Sequence, residues 1–233
     1  MKTLLQKTLN AATDLLFPPR CVHCSAGGSL FCKSCVEDSP LLPDSATCRR
    51  CALPAPGDTC ETCFTNPPAL DRAMAVFAFD SAIRDAVTAF KYNDIRSLAP
   101  VLGTFMADRL PARAAQDLDF VVPVPMAPAR LRSRGYNQSE LLARTICAIT
   151  GLQIGSDIVF RSSGLAPQAR ATSLEQRAEN VKNAFTVNRD LSGLRILLID
   201  DVMTTGSTLN SCAGALKQAG AAWAGALVLA REL

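Results

Sequence analysis

Residues 195–208, RILLIDDVMTTGST, place two carboxylates, Asp200 and Asp201, directly after an apolar run and follow them with a hydroxyl-rich turn. Adjacent acids repel each other and interrupt the run that a sheet core favours, so a ligand is expected to offset that cost. Thr204, Thr205, Gly206, Ser207 and Thr208 offer successive backbone N–H groups at the opening of a helix. Free amides at a helix N-terminus suit a phosphate, and carboxylates beside them could accept hydrogen bonds from a sugar's vicinal hydroxyls. A ribose 5-phosphate would meet both demands, with its phosphate in the 204–208 turn and its diol against Asp200 and Asp201. The plainer alternative is that the acids cap the helix or face solvent while the threonines fill a turn.

The second chemical pattern is CVHC, CKSC, CRRC and CETC, whose cysteines are Cys21, Cys24, Cys32, Cys35, Cys48, Cys51, Cys60 and Cys63. Two residues between sulfurs let one turn aim two thiolates at one cation, and two turns complete the tetrahedral cage that zinc favours. Gaps of seven residues between the first two pairs and eight between the last two form a near-repeat. That predicts two sites filled in sequence order, with an interleaved pairing or a single occupied site as the alternatives. A disulfide framework would need an oxidising compartment. The opening MKTLLQKTLNAATDLLF is broken by Gln6, Lys7 and Asn10 before a secretory core could form, and no run of the chain is long enough to span a membrane. A cytoplasmic protein with reduced thiols and structural zinc is expected. His23, inside the first pair, is a bystander where four sulfurs suffice. The spacing of Leu5, Leu9, Ala12 and Leu16 predicts a short amphipathic helix ahead of the cysteines.

Two domains follow from this distribution: residues 1–67, an N-terminal helix with the cysteine-rich segment, and residues 68–233. Lys and Arg balance Asp and Glu at six each in the first, so the net +3 belongs to the second. Such a small excess suits a local anionic site rather than a broad nucleic-acid surface. The Pro-rich first part has few apolar residues, so a metal is expected to supply its folding energy.

The elements that position the acids alternate. DRAMAVFAF reads as a strand, SAIRDAVTAFKYN and SLAPVLGTFMADRLPARAA as helices, and DFVVPVP as a buried strand. SELLARTICAITG and SLEQRAENVKNAF read as helices, the latter opened by Ser173 with Gln176 three residues on. RILLID is a strand, GSTLNSCAGALKQAG a helix ended by Gly220, and AWAGALVLA a last strand. This order predicts an α/β fold, a mostly parallel sheet flanked by helices, with ligands at the carboxyl ends of its strands. Cys147 and Cys212 fall on apolar helical faces and read as core.

ILLIDDVMTTGST resembles the phosphoribosyl pyrophosphate signature of type I phosphoribosyltransferases. The chain as a whole resembles the ComF (GntX, competence-associated) family of that class: PPRCVHC, the four cysteine pairs, FKYN, VVPVPMAPARLRSRGYNQSELLA, PQARATSLEQRAENVKNAF and the signature come in the family's order. The resemblance implies a type I phosphoribosyltransferase-like sheet behind a small double zinc ribbon. It implies that phosphoribosyl pyrophosphate binds with Mg²⁺ and that its phosphoribosyl group passes to an acceptor the sequence does not name. Thr204 to Thr208 would hold the 5-phosphate, and Asp200 and Asp201 the ribose hydroxyls.

A pyrophosphate loop would follow the strand near Pro125. Arg130, Arg132 and Arg134 agree, since guanidinium forks suit phosphate oxygens; a solvated basic turn is the alternative. In GYNQ, residues 135–138, Tyr136 stands where the family has Phe. Residues 161–177, RSSGLAPQARATSLEQR, look like the loop that closes over substrate, with Gln168, Arg170, Arg177 and Asn180 as candidate contacts. Arg177 and Asn180 could equally lie on an exposed helix face. Lys91 and Tyr92 would belong to a hood over the acceptor. The larger domain has no histidine, which leaves Asp200 as the best base. The rival function is a non-catalytic sensor of the sugar phosphate, or a competence factor whose cysteine segment contacts single-stranded DNA or competence proteins. Zero net charge and only Phe17, Phe31 and Phe64 in that segment weigh against a stacking surface for nucleic acid.

Overall fold

A computed structural model of the chain describes residues 18–111, 115–161 and 184–233. Four parallel strands form the main sheet: β1 (Arg72–Ala78), β2 (Phe120–Pro123), β5 (Arg195–Met203) and β6 (Trp223–Arg231), in the order β1-β6-β5-β2. β3 (Val159–Arg161) and β4 (Phe185–Val187) make a separate antiparallel pair. At three residues each, they are too short for an apolar pattern to reveal. The N-terminal amphipathic helix and SLEQRAENVKNAF fall outside the described residues.

The central strands are apolar at nearly every position because both faces are covered. Alternation sends Leu197, Ile199, Leu227 and Leu229 to one side. There they meet α3 (Ser81–Tyr92), α4 (Leu98–Asp108) and α6 (Gln138–Thr150), through Ile83, Phe90, Leu102, Met106, Leu142 and Ile146. Ile196, Leu198, Ala226 and Val228 go to the other side, against Leu209, Cys212 and Leu216 of α7 (Ser207–Gln218).

Helix ends follow local chemistry. Asp80 caps α3 by accepting from the Ile83 N–H at 2.9 Å, and Asn137 caps α6 by accepting from the Ser139 N–H at 3.2 Å. The helix expected from Ser97 stops at Asp108, short of Pro111.

In the cysteine-rich part, α1 (Lys33–Glu37) and α2 (Glu61–Thr65) each begin just after a cysteine. This part is more integrated than its composition suggests. Leu41 pairs with Phe77 across the free edge of β1, with Leu42 N–H to Val76 O at 3.0 Å and Ala78 N–H to Pro40 O at 2.8 Å. An open strand edge leaves main-chain groups without partners, and residues 40–42 supply them. Phe31 joins the core on the α3 side and Leu42 the core on the α7 side.

Candidate functional site

β5 runs further than RILLID. It passes through both acids to Met203, because β6 continues beside it and pairs Asp200 with Val228 and Met203 with Arg231. The acids therefore sit inside the carboxyl end of a central strand rather than beyond it. Asp200 Oδ1 accepts from Ser139 Oγ at 2.8 Å and from the Asp201 N–H at 2.9 Å. Burial, then the charge of Asp201, pushes Asp200 up to about 7, against the opposing effects of Ser139, the Asp201 N–H and Lys91. Asp201 is 6% exposed. Its Oδ1 lies 2.7 Å from Lys91 Nζ at the end of α3.

After Met203 the chain turns through Thr204, Thr205 and Gly206 and enters α7 at Ser207. Gly206, the cap, has φ +77 and makes no side-chain capping bond. Thr204, Thr205, Ser207 and Thr208 are exposed, and Thr205 Oγ1 accepts from the Ser207 N–H at 3.4 Å. A Cβ on Gly206 would stand 2.4 Å from Met203 Cε. The methionine end can move, whereas the left-handed backbone disfavours any L side chain. Gly206→Ala is expected to cost about 1–2 kcal/mol, read as a lower midpoint in urea with an unchanged slope.

The three arginines do not line one cavity together. They lie on a short helix, α5 (Pro128–Arg134), within the segment expected to hold the pyrophosphate loop, with Pro128 at its start and Gly135 at φ +79 ending it. Arg130 and Arg134, four residues apart, share a face. Both line a cavity of about 580 Å³ with Lys91, Tyr92, Asp94 and Tyr136, and Arg132 is absent from that lining. Arg134 lies over the Tyr92 ring at 5.0 Å and donates to Gln138 Oε1 at 2.6 Å. The cavity thus joins the helix carrying the arginines to the end of α3 that reaches Asp201. Gln168, Arg170, Arg177 and Asn180 lie outside the described residues.

Sequence pattern assigns no role to Ser139 or to the Tyr136 hydroxyl. The signal for Ser139 is its place in the first turn of α6, which comes after β2 and α5, β2 being the strand paired with the acids' own β5. Tyr136 is buried; its hydroxyl donates to Phe90 O, and Arg96 lies over its ring at 4.5 Å. The Tyr136 hydroxyl thus gives α3 an anchor that Phe could not.

The cysteines form two clusters, Cys21, Cys24, Cys32, Cys35 and Cys48, Cys51, Cys60, Cys63, each with its sulfurs within 4.8 Å of one another. The contacts include Cys32–Cys35 at 3.4 Å, Cys24–Cys32 at 3.5 Å, and Cys21–Cys35 and Cys51–Cys60 at 3.7 Å. A zinc tetrahedron with bonds of about 2.3 Å has edges of about 3.8 Å, so both clusters fit zinc, in sequence order. Although burial raises the first sulfur of each cluster, backbone N–H groups outweigh it and bring Cys21 to about 6 and Cys48 to about 7. His23 is no part of the first cluster and instead places Nδ1 2.8 Å from Asp85 Oδ2 on α3. Cys212 is fully buried in the core, whereas Cys147 is half-buried at the margin of the α3-side core, where burial pushes it to about 11.

Comparison with known proteins agrees with both halves. Residues 12–66 match the double zinc ribbon domain, and residues 98–233 match the phosphoribosyl transferase domain. The chain therefore carries a phosphoribosyltransferase-type sheet behind a zinc ribbon. More particularly, it belongs to the ComF family of that class. It is 32% identical over 192 residues to the DNA utilization protein YhgH of Salmonella typhi, covering 80% of this chain and 84% of that one. To competence protein F of Haemophilus influenzae it is 27% identical over 212 residues, covering 86% and 92%. A solved glutamine phosphoribosylpyrophosphate amidotransferase of B. subtilis superposes with a TM-score of 0.41 at 20% identity, over 57% of this chain and 26% of that one.

Proposed function

We propose that the protein binds phosphoribosyl pyrophosphate with Mg²⁺ and transfers its phosphoribosyl group to a nitrogen acceptor. The observation that carries this reading is the continuity of β5, the Asp200–Asp201 pair and the uncapped 204–208 turn at the start of α7. The turn takes the 5-phosphate, and the carboxylates take the ribose diol. Arg130 and Arg134 face the leaving diphosphate, with Arg132 on the outside of α5. The cavity under Tyr92 and Lys91 receives the acceptor. Gln168 remains a candidate contact from the closing segment.

Oxygen donors at Asp200 and Asp201 suit Mg²⁺, which when bound neutralises the diphosphate. The acceptor nitrogen forms a bond to C1 of the ribose as the bond to the diphosphate breaks, and the diphosphate leaves with the electron pair. Asp200, raised to about 7, can take the proton the nitrogen loses, because a base works best when its pKa lies near the ambient pH. Lys91 pairs with Asp201 beside it. The division at residues 67 and 68 belongs to the same reading: the ribbon match ends at residue 66 and β1 opens at Arg72. Among the described residues no helix is long and apolar enough to cross a membrane, and eight thiols arranged as cages suit the cytoplasm.

The relatives' names favour a second reading, in which the site senses the sugar diphosphate and the protein serves DNA uptake through single-stranded DNA or competence proteins. One experiment separates them. Mg²⁺ with phosphoribosyl pyrophosphate is expected to raise the melting temperature, and Asp200→Ala with Asp201→Ala is expected to remove that rise. Diphosphate release with one of a panel of bases and amines supports transfer. Stabilisation without release across the panel supports the sensor, and no stabilisation of the parent protein overturns both.

A further inference from the structure

Arg231, the last residue of β6, is 5% exposed and lies between the two halves of the molecule. Its Nε donates to Cys51 O at 2.8 Å, within the second cysteine cluster. Its Nη1 faces Met203 O at 2.9 Å, Glu232 O at 2.6 Å, and Thr204 O. Met203 and Thr204 are the entry to the 204–208 turn. One guanidinium thus fixes the carbonyls on the near side of that turn to the main chain of a metal-ligand residue. A buried guanidinium is costly unless its donors are met. Here carbonyls meet Nε and Nη1, and four thiolates around a divalent cation leave a net negative cage beside it.

We propose that Arg231 is a positioning residue that holds the phosphate turn in its binding shape by bracing it against the second cysteine cage. With the Met203 and Thr204 carbonyls held by Arg231, the N–H groups that follow are left for an anion. Met203 Cε also lies against Gly206, 2.4 Å from where a Cβ would stand. The cage serves as an anchor because a ligand-bound knuckle keeps its main chain fixed, as outer partners of a metal site do. Part of the zinc ribbon's role is then to set affinity for the sugar phosphate. This rests on the reading that residues 204–208 take the 5-phosphate.

The test uses the full-length, zinc-loaded protein with Arg231→Lys, which keeps the charge but has no planar fork to span both sides. Arg50→Ala is the control. Arg50 joins the same cage to the chain at Pro68 O and Leu70 O, at 3.4 and 3.3 Å, and does not touch the turn. Ribose 5-phosphate is titrated calorimetrically, and hydrogen exchange is followed over residues 203–212. Arg231→Lys is expected to weaken ribose 5-phosphate about tenfold, by analogy with other outer partners of metal sites, and to speed exchange over 203–212. Arg50→Ala should change neither. Removing zinc from the parent should speed exchange over the same residues. Parent-like affinity and exchange in Arg231→Lys, equal effects in Arg50→Ala, or exchange over 203–212 unchanged by zinc removal would each overturn the brace. If the parent itself does not bind ribose 5-phosphate, the functional reading fails, and the exchange data still decide whether Arg231 holds the turn.

Discussion

Asp200→Asn is expected to give a protein that is more stable above pH 7 than its parent and no longer stabilised by Mg²⁺ with phosphoribosyl pyrophosphate. In the folded protein this carboxyl is raised to about 7 from an ordinary 3.8. Between those values the folded state binds a proton that the unfolded state does not, so stability falls as pH rises from about 4 to 7 and then levels off. The loss amounts to at most about 4 kcal/mol for a shift of this size. The Ser139 hydroxyl and the Asp201 N–H both donate to Oδ1, and the Asn carbonyl can accept from both. The variant keeps the hydrogen bonds and loses the repulsion with Asp201. Thermal melts at pH 4.5 and 8 should converge at the acid end and separate at the alkaline end. Parallel melts would show that Asp200 is not strained, and a variant still stabilised by the sugar diphosphate would remove Asp200 from the site.

Strain of this kind explains why the site was partly legible in the sequence. Two acids inside an apolar strand break the pattern that a covered parallel sheet imposes, so residue order alone makes them stand out. The 204–208 turn is similarly exposed by composition: Gly206 needs a positive φ there, and the hydroxyls around it do not belong in a core. The cysteine cages were legible because the metal fixes ligand spacing within one short stretch of chain. What pattern could not give was contact between distant segments. Ser139 touches Asp200 across 61 residues, Lys91 reaches Asp201 from the far end of α3, and Arg231 spans 180 residues to Cys51. Each residue is ordinary in its own neighbourhood. The arginines show another limit of pattern: three cations in five residues read as one cluster, whereas the turn of α5 leaves Arg132 out of the cavity that Arg130 and Arg134 line.

The same separation of local and distant effects makes zinc removal the most damaging treatment of the folded protein. Structural zinc in peptides contributes about 10–16 kcal/mol of apparent binding energy that is also folding energy. The ribbon has little else, since its apolar contribution is a few side chains such as Phe31 and Leu42. In this chain the loss should not stop at the ribbon. Residues 40–42 close the edge of β1, Arg49 O accepts from the Ala73 N–H at 2.6 Å, and Arg109 donates to Leu42 O and Asp44 Oδ1, each at 2.7 Å. Unfolding the ribbon would expose that strand edge and uncover part of both cores.

A zinc chelator with a reductant is therefore expected to release two zinc ions per chain. Residues 18–67 should become protease-sensitive, and the body should melt more than 10 °C lower, corresponding to about 3–5 kcal/mol for a protein of this size. Metal analysis, proteolysis and calorimetry on one preparation check the three parts. Release of one ion would leave one cage without its metal. A ribbon that stays protected after both ions are gone would mean that the edge pairing and the two apolar anchors suffice to hold it.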